Sequence, residues 1–181
     1  LTIEPNTVFF RTQPILPVDE VLEDIQEQGE IYLKANGYIN YEVSAWRKEK
    51  PSAHNLNYWE FGDYLAIGAG AHGKVTMIDG VYRFQKTRLP KDYLAKVPAE
   101  NLQFKKIEAG DMPFEFMMNA LRLNEGVDAS FYAERTGLNL SELDETLISL
   151  RQRKLMVDDQ NRLACTEQGH VFLNSVLEEF L

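Results

Sequence analysis

His54-Asn55-Leu56-Asn57-Tyr58-Trp59 places one imidazole, two amides and two large aromatic rings in six residues. Such a set can grip a flat ligand: rings stack on its face, and an imidazole can ligate iron. The same residues also suit an ordinary loop whose aromatics anchor it to the core. On spacing alone the anchoring reading is the simpler.

Gly68-Ala69-Gly70-Ala71-His72-Gly73 fits G-x-G-x-x-G and follows an apolar run. A dinucleotide fingerprint requires a helix next, whose first N–H groups hold the pyrophosphate. Here Lys74-Val75-Thr76-Met77 leads into Asp79-Gly80, a hairpin signal. The nicotinamide reading therefore falls away. What remains is that glycines let a backbone approach something closely, either a ligand or a neighbouring strand. Among single residues, His72 can ligate or can bond to nearby backbone. His170 is expected on the surface, and Cys165 as a small core residue. Glu4 and Glu42 sit on expected strands, either at a ligand or as solvent-facing or ion-paired carboxylates.

These residues need elements to position them. Leu1 to Pro5 reads as a strand already in progress, and the chain opens on Leu1 rather than Met. The expectation is the carboxyl-terminal part of a larger soluble protein. Val18, Val21, Leu22, Ile25, Tyr32 and Leu33 have helical spacing, with Pro17 before them and Asn36-Gly37 after. Tyr38 to Trp46 alternates and predicts a single strand. A helix between two strands predicts a parallel sheet. Leu65 to Ala71 predicts a buried strand. Lys74–Ile78 and Val81–Thr87 predict a hairpin, followed by a short helix near Lys91–Lys96 and a strand near Leu102–Ile107.

From Asp111 the character changes. One helix follows Asp111, with Phe114, Met117, Met118 and Leu121 as its apolar face. A second runs from Asp128 to Gly137, and a third starts at Ser141. A small hairpin spans Leu155–Cys165. A last helix starts at Thr166, with Val171, Phe172, Val176, Leu177 and Phe180 facing inward. Three helices, a hairpin and a helix make a winged-helix-like module. The predicted domains are 1–110 and 111–181.

The chain has 181 residues, 44% hydrophobic and 26% charged, with net charge −9. An acidic surface repels nucleic acid and anionic lipid. The third helix of the module also begins with Glu142, Asp144 and Glu145, which argues against a DNA-reading role. One cysteine excludes an internal disulfide and any Cys-based cluster held by this chain alone. It fits a reducing, cytoplasmic compartment. No apolar run approaches the roughly 18 residues of a membrane span.

Taken in order, Ile3-Glu4-Pro5-Asn6-Thr7, Tyr41-Glu42-Val43-Ser44-Ala45, His54–Trp59 and Ile67–Gly73 resemble the radical S-adenosylmethionine family of oxygen-independent coproporphyrinogen III oxidases and related haem chaperones. The carboxyl-terminal region from Pro113-Phe114-Glu115-Phe116 through Phe172-Leu173-Asn174-Ser175 resembles it too. The resemblance implies an α/β (α+β) chain: the end of a partial TIM-like barrel with a small antiparallel hairpin, then the winged-helix-like domain. In the family, a Cys-x-x-x-Cys-x-x-Cys motif of the barrel holds a [4Fe–4S] cluster that binds S-adenosylmethionine. This sequence has no such motif, so the chain alone is expected to be inactive. By resemblance, Glu4, Gly70, Ala71 and Gly73 lie near S-adenosylmethionine. The His54–Trp59 stretch points to the chaperone branch, with haem contacted by His54, Asn55, Tyr58 and Trp59. The implied function is haem binding and transfer to haem-accepting proteins. The alternatives are oxidative decarboxylation of coproporphyrinogen III in porphyrin biosynthesis, or a non-catalytic interaction module.

Overall fold

A computed structural model of the chain describes residues 3, 5–96 and 102–181. Residues 1–39 and 40–181 form two compact units. In the first, α1 (Val8–Arg11) is capped by the Thr7 hydroxyl, which accepts from the Phe10 N–H at 3.1 Å. The predicted long helix is α2 (Asp19–Ala35). Asp19 and Glu20 lie in its first turn and Lys34 in its last, each complementing the helix dipole. Gly37 follows at φ +78°, a left-handed turn that glycine adopts without strain. The predicted opening strand, with Glu4, falls largely outside the described residues.

The second unit departs from expectation at once. The predicted strand over 38–46 is two short strands, β1 (Ile39–Glu42) and β2 (Ala45–Arg47), paired with each other. Two intervening residues cannot form a parallel crossover. The turn is made by a side chain: Glu42 Oε1 accepts from both the N–H and the hydroxyl of Ser44, at 3.0 and 2.9 Å. The opening strand that the expected parallel sheet needs falls largely outside the described residues.

After α3 (Ala53–Trp59) the predicted buried strand over 65–71 is absent. Leu65 and Ile67 are 79% and 90% exposed. At its start Tyr64 pairs with Lys74 through reciprocal backbone bonds of 2.9 and 3.0 Å. Gly68 and Gly70, at φ +98° and +70°, turn this segment instead of extending it.

The predicted hairpin forms as β3 (His72–Met77) and β4 (Gly80–Lys86). After α4 (Pro90–Ala95), β5 (Leu102–Lys106) adds to β4. The sheet order is β3-β4-β5, antiparallel throughout. One face carries Val81 and continues to Ile107, both buried against the helical part.

That part begins with α5 (Met112–Ala120), then β6 (Val127–Asp128), α6 (Ser130–Thr136), a 3₁₀ turn (Leu140–Leu143) and α7 (Asp144–Gln152). It ends with β7 (Arg162–Leu163), α8 (Glu167–Val171) and α9 (Leu173–Glu178). Strands β6 and β7 pair antiparallel, and Met156 bridges Cys165. Met112, Phe116, Met117 and Ala120 form the buried stripe of α5, while Met118 is 37% exposed. The predicted last helix breaks at Phe172, so Val171 and Phe172 face solvent and Val176, Leu177 and Phe180 are buried. One hydrophobic core runs from Phe61, Val81 and Ile107 through Phe116, Leu150 and Phe180.

Candidate functional site

The His54–Trp59 cluster forms a helix, not a loop. The Ser52 hydroxyl caps α3 by accepting from the Asn55 N–H at 3.3 Å. Helical geometry then sorts the six residues, because positions four apart share a face.

His54 and Tyr58 lie on one face, their rings 4.7 Å apart and edge to face. Tyr64 adds a third ring, 4.1 Å from Tyr58. The Tyr64 hydroxyl accepts from Arg83 Nη1 at 3.1 Å, and Arg83 Nε donates to Glu115 at 2.8 Å. Burial opposes the Arg83 charge, yet Glu115 and Tyr64 outweigh it and hold the guanidinium above its ordinary value. The result is a half-exposed row, His54–Tyr58–Tyr64, whose inner end is fixed by an ion pair.

Asn55 and Trp59 lie on the other face. Asn55 Nδ2 donates to the Tyr41 hydroxyl at 3.0 Å. Trp59 packs on the core beneath the Arg122 guanidinium, 4.5 Å from its ring centroid. Arg122 Nη2 donates at 3.2 Å to Glu42, which is 2% exposed. Glu42, placed by sequence as a ligand or ion-paired carboxylate, is thus ion-paired. Asn57 has a third role: its Nδ2 donates to the Asp63 carbonyl at 2.9 Å. A Cβ on Gly62 would fall 2.2 Å from Asn57 Oδ1, so the helix exit is shaped for glycine.

The glycine segment is partly explained by a neighbouring strand. Gly73 pairs with Phe84, whose ring covers the space a Cβ would take, 2.1 Å from Cζ. Gly70 donates its N–H to the Thr87 carbonyl at 2.9 Å. Gly70 also lines a recess of about 500 Å³ with His72, Gln85, Arg88, Lys96 and Gln103. Ala71 is not among the residues that line it, and Gly73 faces Phe84. His72 is exposed there.

Other titratable residues are structural. Lys74 is 1% exposed, with Nζ 2.9 Å from Asp63 and 4.2 Å above the Phe61 ring. Burial draws its ammonium below the ordinary lysine value. Cys165 is buried and its thiol is pushed up to about 12 by burial, so it does not suit cluster ligation. Among the described residues no group of three His, Cys, Asp or Glu side chains is arranged to hold a metal ion. His170, expected on the surface, has its Nε2 buried, and burial lowers its pKa.

Residues 107–172 match the family described as the HemN C-terminal domain. The chain is similar to that domain over this stretch. Over its whole length it is 46% identical to the haem chaperone HemW of Haemophilus influenzae and 44% identical to that of Escherichia coli. It covers 47% and 48% of those proteins, so it spans about half the length of the curated relatives it matches. The fold is similar to that of the Escherichia coli coproporphyrinogen III oxidase HemN, described as a radical SAM enzyme, with a TM-score of 0.64. That match has 17% identity and covers 91% of this chain and 42% of the other. The motif-based resemblance to the radical SAM oxidase and haem-chaperone family is borne out. The mixed α/β fold with small antiparallel sheets is likewise that of the HemN carboxyl-terminal region.

Tyr64 and Arg83 were not singled out from the sequence. No spacing rule joins them to His54 and Tyr58. The Tyr64–Lys74 bridge does so.

Proposed function

We propose that this chain is the haem-handling portion of a radical SAM haem chaperone, which binds haem and passes it to haem-accepting proteins. The observation that carries this reading is the half-exposed His54–Tyr58–Tyr64 row in a chain 46% identical to a protein named haem chaperone HemW. His54 is the one imidazole in the row, and its exposure on the first turn of α3 leaves it accessible to iron. Tyr58 offers a stacking surface. Asn55 and Trp59, on the adjacent side of the helix, hold α3 to β1 and the core.

In the whole protein, S-adenosylmethionine would lie against Gly70 and Ala71, with Glu4 and Gly73 as the remaining neighbours implied by resemblance. When bound with a [4Fe–4S] cluster it supplies radical chemistry. This chain's single, buried cysteine does not fit the cluster, so no step is assigned to it here. In this reading, residues 1–110 complete a partial barrel and 111–181 form a winged-helix-like domain, in a cytoplasmic protein.

The test is a haem titration followed by the Soret band. His54→Ala and Tyr58→Ala are expected to weaken binding at least about tenfold, roughly 1.4 kcal/mol. Trp59→Phe is expected to keep the parent affinity. Parent-like binding by the His54→Ala/Tyr58→Ala double variant would reject the assignment. The similarity to HemN favours a second reading, oxidation of coproporphyrinogen III by the full-length protein. Anaerobic turnover of that substrate by the full-length protein would displace the chaperone reading.

A further inference from the structure

The inner end of the aromatic row carries a polar group with part of its bonding unused. Tyr64 pairs with Lys74, Lys74 with Arg83, and Arg83 with Lys105, so these four side chains belong to one face. Two of the three cations are already matched. Lys74 Nζ is held by Asp63 at 2.9 Å, and Arg83 Nε and Nη2 are held by Glu115. Arg83 Nη1 donates to the Tyr64 hydroxyl at 3.1 Å.

That bond decides where the Tyr64 proton goes. A phenol has one O–H and two lone pairs, and its O–H lies near the ring plane. With Arg83 on one side of the oxygen, the proton turns to the other. Among the described residues no acceptor takes it. Tyr64 is half-buried, 4.1 Å from the Tyr58 ring, which is 4.7 Å from His54. A donor polarised by a guanidinium suits an anion. The two ring steps from His54 to Tyr64 are comparable to the reach from the metal of a tetrapyrrole to its acid side chains.

We propose that the Tyr64 hydroxyl donates to a carboxylate of the tetrapyrrole bound on the row, with Arg83 as the positioning residue that aims and polarises it. This rests on the haem reading above and adds to it the group that recognises the acid edge of the ligand. The carboxylate of S-adenosylmethionine offers the same chemistry, so the experiment separates the two sources.

The 181-residue chain is titrated with haem and with haem dimethyl ester, which keeps the ring and the metal but lacks the two charges. The parent is expected to favour haem by about tenfold, the scale of one hydrogen bond to a charged group. Tyr64→Phe keeps the ring and removes the donor. It is expected to bring the two ligands within about twofold, the loss falling on haem. Arg83→Gln/Glu115→Gln removes both charges and leaves neither unpaired, and is expected to give an intermediate preference of about threefold. Tyr82→Phe removes a hydroxyl from the other face of β4, where it bonds Asp79, and is expected to keep the parent preference. Far-UV circular dichroism checks that each variant is folded.

A parent that binds neither ligand sinks the haem reading and this inference together. A parent that binds both equally sinks only the Tyr64 assignment. So does a preference that survives in Tyr64→Phe, or one lost equally in Tyr82→Phe. A preference kept in Tyr64→Phe but lost in Lys105→Gln would mean that this exposed lysine recognises the charge instead. An unchanged preference in Arg83→Gln/Glu115→Gln would overturn the role given to Arg83. If Tyr64→Phe keeps the haem preference but binds S-adenosylmethionine less well, the hydroxyl serves that ligand's carboxylate and the proposal is wrong.

Discussion

Asp63 shows how one carboxylate can tie a loop to a sheet. It bonds Lys74 Nζ at 2.9 Å, the Thr76 N–H at 2.8 Å and the Thr76 hydroxyl at 2.8 Å. Burial opposes its ionisation, but these bonds and the Lys74 charge prevail and hold the carboxyl below its ordinary value of 3.8. A depressed folded-state pKa means the stabilisation is complete above that ordinary value. It is lost as pH falls through the lower folded value. Asp63→Asn is therefore expected to destabilise by about 2 kcal/mol at pH 7, a full buried-pair loss discounted because Asp63 is half exposed. The gap to the parent in urea midpoints should close as pH drops below 3.8. A gap independent of pH would mean the ion pair is not its source. At this scale the sequence was partly legible. His54, Tyr58 and the glycines were visible as residue types. Their division between two faces required a helix where a loop was expected, and Lys74's burial left no mark in the local pattern.

At the scale of elements, the Asp79-Gly80 hairpin was readable because its turn chemistry is local. The Val43-Ser44 reversal was not, because alternation runs straight through it and the turn is made by the Glu42 side chain. The last helix was readable in type and in its buried end, Val176, Leu177 and Phe180, but not in the break at Phe172, which leaves Val171 and Phe172 exposed. The β3–β4 pair offers its own test. The Phe84 ring lies in the space of the absent Gly73 side chain, a cross-strand fit of glycine and aromatic. Gly73→Ala should cost about 2 kcal/mol through overpacking. In a Phe84→Leu background the same change should cost less than half as much, a coupling visible in a double-mutant cycle. Additive costs would show that the ring does not govern the glycine.

For the whole molecule, the family match begins at Ile107, but the core does not. Phe61 touches Phe116 with ring centroids 5.4 Å apart, and Val81 and Ile107 join the same cluster. The backbone of β1 also bonds beyond α5, from the Asn124 N–H to the Tyr41 carbonyl at 3.1 Å. The change of character at Asp111 was readable from composition and caps. The shared core was not, because it joins residues about fifty apart in sequence. Residues 40–181 are accordingly expected to unfold in one cooperative urea transition. Residues 111–181 alone are expected to give a broad transition with lowered m, as packing is lost with Phe61 and Val81. A sharp transition from the shorter piece would show that it stabilises itself.

The division of α3 into two faces has a practical consequence. Trp59 sits one residue from Tyr58, yet turned toward Arg122 and the core. An indole in that position is a built-in lamp beside the proposed haem seat, held still by its packing. Haem arriving on His54 and Tyr58 would darken it, and release to an acceptor would restore it. With Trp46 replaced by Phe, the chain would report its own loading and unloading in light, without any label.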